Sequence, residues 1–361
     1  MPAVPAGPQA PPDHADLRAR LGLTRAEVVR PGAVKATAVV AVVALLGLAI
    51  LLSLSFGSRD IPLGDTWRLL LHRDASADST VLHDLRVPRT LLGVLVGLAL
   101  GVAGSLMQSL TRNPLADPGI LGINAGASFA VVLVVAVTGV SGIGFYLWFA
   151  FAGAATASVV VFLLGTSRRN AATPVRLTLA GVAISAVLQA MTTTVILADQ
   201  VAFNEFRFWV VGSLEGRLYP VLLSVLPFIA VGLLLALALG PGLNALALGE
   251  STGRALGVRV RRIRVGAMLS VTLLCGAATA AVGPIAFVGL AVPYAARLIV
   301  GSDQRWVTAF SALLGPVWML SADVLARVVF RPEEVQVGII AAVVGAPVFV
   351  SIVRRRTVTS L

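Results

Sequence analysis

About ten times between residues 34 and 353 the chain enters an apolar run of about twenty residues and leaves it through a short polar stretch. A run of that length matches the hydrocarbon thickness of a bilayer when it is helical, and a helix satisfies its own backbone hydrogen bonds where no water can. The runs cover 34–56, 91–110, 121–137, 145–165, 177–198, 219–239, 266–282, 285–300, 307–329 and 338–353. Composition agrees: 57% of the 361 residues are hydrophobic and 12% are charged, with a mean hydropathy of +0.92. A soluble enzyme and a disordered chain are both excluded. The run at 34–56 is too long for a secretory signal core and has no small-residue cleavage site after it, so it is a retained span. The expected fold is an all-α membrane protein with about ten transmembrane helices.

The net charge of +11 is spread in small groups between the apolar runs. A nucleic-acid site would gather basic residues on one soluble face among aromatics, and no such face exists in the sequence. With an even number of spans, both termini share a side. Arg18, Arg20, Arg25, Arg30, Lys35, Arg112, Arg168, Arg169, Arg176, the arginines of 254–264, Arg297, Arg305 and Arg354 to Arg356 all fall there. The positive-inside rule makes that side cytoplasmic. The expectation is a multi-pass protein of the cytoplasmic membrane, in contact with lipid and not with nucleic acid.

Chemistry has little foothold. The single cysteine, Cys275, lies in an apolar run, and His14, His72 and His83 lie apart and outside the runs, so neither a disulfide nor a metal site is expected. No phosphate loop, zinc motif or nucleophile elbow occurs, and no catalytic residue is assigned. Asp323 is the one acidic residue placed well inside a run. Arg327, four residues on, shares its helix face and reads as an ion-pair partner or as a charge at the outer mouth. This shortage of intramembrane carboxylates disfavours an ion-coupled carrier.

Spacing says more. Gly93, Gly97 and Gly101 line one face of the second run, and Gly122 with Gly126 repeats the pattern in the third, both as close helix-packing surfaces. The stretches 113–127 and 283–297 share a Pro/Gly texture but run in opposite predicted directions, as in two inverted-repeat-like halves. The loop 241–265 carries Leu243, Leu246, Leu248, Glu250, Arg254, Leu256 and a run of arginines. It reads either as two short surface helices joined near 249–253 that meet a partner, or as a passive basic loop. Arg86 and Arg89 flank Pro88 before the second run and either anchor it at headgroup level or receive carboxylates of a soluble partner, with Arg327 completing the set. Residues 203–218 are amphipathic and are expected to lie flat at the outer interface.

Longer stretches carry a resemblance. LRVPRTLLGVLVGLALGVAGSLMQSLTRNPLADPGILGINAGA from Leu85, WVVGSL from Trp209, LNALALGESTGRALGV from Leu243, GPIAFVGLAVPYAARLIVGSDQR from Gly283, and SADVLARVV through EVQVGIIAAVVGAPVFVSIVRRR from Ser321 to Arg356 resemble the permease subunits of ABC importers for ferric siderophores, haem and vitamin B12. The resemblance implies an extension at 1–33, a permease domain at 34–356 and a tail at 357–361. It also implies a second permease, identical or paralogous, two ATPase subunits that hold ATP and Mg, and an extracytoplasmic substrate-binding protein. No cofactor is expected on this chain itself. By the same resemblance, Arg86, Arg89 and Arg327 dock the binding protein. Leu246, Leu248, Gly249, Glu250, Arg254, Leu256 and Gly257 couple to an ATPase, and Thr173, Pro174 and Val175 form the cytoplasmic gate. Pro174 departs there from the small hydroxyl residues of the B12 transporter. Ferric siderophore is the favoured substrate, with vitamin B12 or haem as alternatives and an ion-coupled secondary transporter behind them.

Overall fold

The computed structural model describes residues 32–57, 61–165, 174–331 and 333–354. The expected helix at 16–29, the 357–361 tail and nearly all of the 1–33 extension lie outside them. The chain runs through α1 (Gly32–Ser55), α2 (Leu63–Leu71) and α3 (Ala77–Thr80), then a π turn at Val81–Arg86 that leads without a break into α4 (Val87–Thr111). After a 3-10 turn at Pro118–Leu121 come α5 (Ile123–Thr138), α6 (Ile143–Gly165), α7 (Pro174–Ala198), α8 (Gln200–Trp209) and α9 (Tyr219–Ala247). The remainder is α10 (Glu250–Ala255), α11 (Val260–Val282), α12 (Val288–Val300), α13 (Gln304–Val328) and α14 (Val337–Arg354). Each of the ten expected spans falls on a helix. Among the described residues, seven helices are long and apolar enough to cross a membrane, and α5, α12 and α14 are shorter apolar helices.

Two helices form the axis of the bundle. In α4 and α11, 78% of the apolar window is buried, against 22% in α1 and 11% in α7. Glycine makes that burial possible in α4. A Cβ on Gly97 would sit 2.5 Å from the Gly315 carbonyl oxygen of α13, and one on Gly101 would sit 2.6 Å from that of Ser311. One on Gly93 would meet the Leu320 side chain, and one on Gly104 would overlap the Gly289 carbonyl of α12. The glycine face of α4 is therefore the seam along which α12 and α13 approach backbone to backbone. Gly126 of α5 makes the same kind of seam with Gly153 of α6.

Each axial helix ends in an unwound segment followed by a short helix, α4 in 113–122 before α5 and α11 in 283–287 before α12. The two segments meet, with Pro118 of the first packed on Gly289 just beyond the second. This is the inverted-repeat-like texture of the sequence made three-dimensional. It also moves two boundaries. The span expected at 285–300 begins as a helix only at Val288, because Pro284 lacks an amide hydrogen and Phe287 holds φ of 68°. The span expected at 121–137 begins at Ile123, after Gly122 takes φ of 72°. Bonds at the two edges of the break satisfy part of its backbone, from Gly283 N to the Thr279 oxygen and from Val288 N to the Ala286 oxygen.

Residues 203–218 do not form one surface helix. Only 200–209 is helical, and Ala202, Phe206 and Trp209 of α8 are buried in the main core. Beyond them the backbone turns inward: Ser213 N donates to the Val282 oxygen, and Gly212 accepts from Gly338 N of α14. Of the aromatics that made this stretch look interfacial, Phe206 and Trp209 are core residues, while Phe203 and Phe208 stay exposed with Arg207 over their rings.

Candidate functional site

Two arginines close the C-terminal end of α1. The last carbonyls of a helix lack intrahelical donors, and inside a membrane protein something else must supply them. Arg86, next to the start of α4, donates from Nη1 to the carbonyl oxygens of Leu54 and Ser55, both at 2.7 Å. Arg327, near the end of α13, donates from Nη1 to Ser53 O at 3.0 Å and Phe56 O at 2.8 Å, and from Nη2 to Ser53 Oγ at 3.0 Å. Positive charge at a helix C-terminus also answers the helix dipole. Both residues are buried, Arg86 at 5% and Arg327 at 2% exposure.

Arg89 is placed differently. Its Nε and Nη2 donate to Asp323 Oδ1 at 3.1 and 2.8 Å, and its Nη1 donates to Glu334 Oε2 at 2.7 Å. Asp323 is wholly buried, and its second oxygen lies 2.8 Å from Arg327 Nη2. Arg89 and Glu334 keep an exposed edge, 14% and 18%. The cluster thus grades from a buried floor of Arg86, Asp323 and Arg327 to a lip of Arg89 and Glu334. Of the three arginines assigned to docking, only Arg89 presents an edge to solvent in this conformation. Sequence reasoning missed Glu334 because it sits 245 residues from Arg89 in the chain, and nothing local to it marks the pair.

At the opposite end of the bundle, Arg112 caps α4 in a left-handed conformation and donates from Nη2 to the Leu246 oxygen at 2.7 Å. This ties the end of α4 to the end of α9. The expected pair of short helices in 241–265 is instead the end of the 29-residue α9, which continues through Pro241 to Ala247, plus the separate six-residue α10. Gly249 at φ 110° and Gly257 at φ 79° bracket α10, conformations that a side chain rarely tolerates. Glu250 accepts from Arg254 and from Arg264, which fixes α10 against the start of α11. Leu246 is buried in the bundle, whereas Leu248 and Leu256 are exposed at 67% and 62%.

The third feature is α7. It packs against neighbours on one side only, and Gln189, Thr193 and Thr194 are exposed along it beside Val182 and Val187. An exposed glutamine amide within a span is costly against lipid. The exposed face of α7 suits water or a partner. Of the three residues expected at the gate, Thr173 lies outside the described residues, Pro174 opens α7, and Val175 is exposed in its first turn. A cavity of about 230 Å³ between α12, α13 and α14 is lined by Val292, Leu314, Trp318, Leu325, Val344 and Val348. It is apolar and offers nothing to grip a charged ligand. Among the described residues, no three His, Cys, Asp or Glu side chains converge on a metal-sized site.

Comparison with known proteins places the chain among membrane transport proteins. The profile of the FecCD transport family matches residues 45–355. The chain is 46% identical over 330 residues to the ferric enterobactin transport system permease protein FepD of Escherichia coli K12, covering 90% of this chain and 98% of that one. It is 36% identical over 318 residues to the hemin transport system permease protein HmuU of Yersinia pestis, covering 86% and 94%. Among solved structures it resembles a metal-chelate type ABC transporter in an inward-facing conformation, with a TM-score of 0.78 and 26% identity over 88% of this chain and 98% of that one.

Proposed function

The chain belongs to the FecCD transport family, and from that premise we propose how it works as the transmembrane permease subunit of an ATP-driven ABC importer for ferric siderophores. Higher identity to a ferric enterobactin permease than to a hemin permease favours an iron chelate of the enterobactin type over haem. The observation that carries the translocation reading is the unpacked face of α7, on which Gln189, Thr193 and Thr194 stand exposed among apolar residues such as Leu179, Val182 and Val187, and which suits a pathway shared with a second permease, identical or paralogous. The iron chelate is cargo, passed along a smooth surface and selected by a binding protein outside.

In this reading the membrane is the cytoplasmic one and both termini are cytoplasmic, as the arginine distribution supports. The end carrying α10 faces two ATPase subunits, which hold the ATP and Mg. Leu248 and Leu256 are the apolar contacts offered to an ATPase groove, and the Glu250–Arg264 pair makes α10 stiff enough to transmit a push. Leu246 acts from within, holding α9 to α4. The arginine cluster at the other end receives carboxylates of the binding protein, with Arg89 as the accessible member and Arg86 and Arg327 holding its platform. Thr173, Pro174 and Val175 form the cytoplasmic gate, the last two in the first turn of α7. ATP-driven closure of the ATPases then switches the permease pair between outward- and inward-facing states.

Uptake of radio-iron as ferric enterobactin, in cells lacking this chain and in the same cells with it restored, tests the reading. Restored, energy-dependent iron uptake is expected. Restored uptake of cobalamin or haem without the siderophore would overturn the substrate.

A further inference from the structure

We propose that Glu334 is an internal stand-in for the binding protein's carboxylate, holding Arg89 until docking displaces it. This inference rests on the docking reading above and adds to it a competitor and a consequence. Arg89 and Arg327 of the cluster pair with two carboxylates, Asp323 and Glu334, and these are not equivalent. Asp323 is wholly buried and shared by Arg89 and Arg327, so no incoming group can replace it without opening the bundle. Glu334 pairs with Arg89 through a contact at 2.7 Å between two partly exposed side chains. It is the carboxylate an outside glutamate or aspartate can exchange with, at little net change in charge pairing.

The exchange has a structural consequence because of where Glu334 sits. It lies in the short strap between α13 and α14, and Val335 N donates to the Ala326 oxygen beside it. Three residues further on, Gly338 N bonds the Gly212 oxygen, and the Gly338 backbone is pressed against Val211. Release of Glu334 frees the strap at its anchored point and unlocks the start of α14. Ala341 and Gly345 of that helix pack on the core and against Phe287 in the unwound segment. Docking at the lip is thereby connected to the break between α11 and α12 through one displaced side chain.

The test uses the permease assembled with its ATPases in lipid nanodiscs, and the binding protein that supports its uptake. Affinity is measured at low and high salt for wild type, Glu334→Gln, Arg89→Gln and the double variant. Glu334→Gln is expected to tighten binding about five- to tenfold at low salt, with the gain shrinking at high salt and vanishing in the Arg89→Gln background. Unchanged or weaker binding by Glu334→Gln, while Arg89→Gln loses affinity, overturns the stand-in role and leaves docking intact. Unchanged binding by Arg89→Gln removes the docking reading itself, and the stand-in falls with it. Hydrogen exchange of the wild-type assembly covers the case in which a variant fails to fold. Faster exchange across 333–338 on docking is expected, and unchanged or slower exchange there overturns the proposal.

Discussion

Arg327→Met removes the guanidinium that joins α1 to α13 while nearly preserving side-chain volume, so it isolates the polar part of the cluster. The wild-type side chain is 2% exposed. It makes four hydrogen bonds, to Ser53 O, Ser53 Oγ, Phe56 O and Asp323 O, and an ion pair to Asp323. Hydrogen bonds between helices in membranes contribute about 0.6 kcal/mol each, which makes roughly 2 kcal/mol for the three that reach the end of α1, the bond to Asp323 O lying within α13. Removing one partner of a buried ion pair costs about 3–5 kcal/mol. Arg89 still covers the other Asp323 oxygen, so the low end of that range applies to the pair and hydrogen bonds together, about 3 kcal/mol. Equilibrium unfolding in mixed detergent micelles, followed by circular dichroism, measures the difference. Adding Asp323→Leu to the same chain should cost less than the sum of the single changes, because the uncompensated carboxylate is then gone. A loss below about 1 kcal/mol for Arg327→Met with the native helix content would refute the capping account.

Gly97→Val should destabilise the fold by about 1–3 kcal/mol, since its new Cβ meets the Gly315 and Pro316 backbone, which cannot rotate away; wild-type stability in the same unfolding assay would contradict the seam. Leu248→Asp with Leu256→Asp should leave the permease folded but reduce transport-coupled ATP turnover at least tenfold in the assembled importer, because both side chains are exposed in the coupling segment. Cysteines placed at Gln189 and Thr193 should react with a charged, membrane-impermeant thiol reagent, whereas one at Leu234, exposed on α9, should not; equal reaction at all three would remove α7 from the aqueous pathway.

The spans were legible because a long apolar run with few charges has one solution in a bilayer, and the run needs no tertiary information to be seen. Their ends were less so. At 285–300 the apolar run continues through Pro284 and Phe287, yet the helix does not, because the break is set by backbone geometry and not by polarity. The nine-residue α2 went unseen, since it lies in a mixed stretch between spans and buries only Thr66 and Leu69. The glycine face of α4 could be read from spacing, though its partners on α13 could not. Arg86 and Arg327 read from sequence as docking residues, Arg86 alternatively as a headgroup anchor and Arg327 as an ion-pair partner of Asp323; their capping of α1 could not be read, because the carbonyls lie 32 and 274 residues away in the chain. Leu246 and Leu248 look alike in sequence and differ only by the side of the helix end on which they fall.

The central claim is that this chain carries ferric siderophore across a membrane on energy from partner ATPases. Its most direct test is transport of radio-iron enterobactin into proteoliposomes holding the purified permease, its ATPases and its binding protein, with no ion gradient imposed. The account predicts uptake that requires ATP and the binding protein together. Uptake that proceeds without ATP when a proton or sodium gradient is supplied would contradict it.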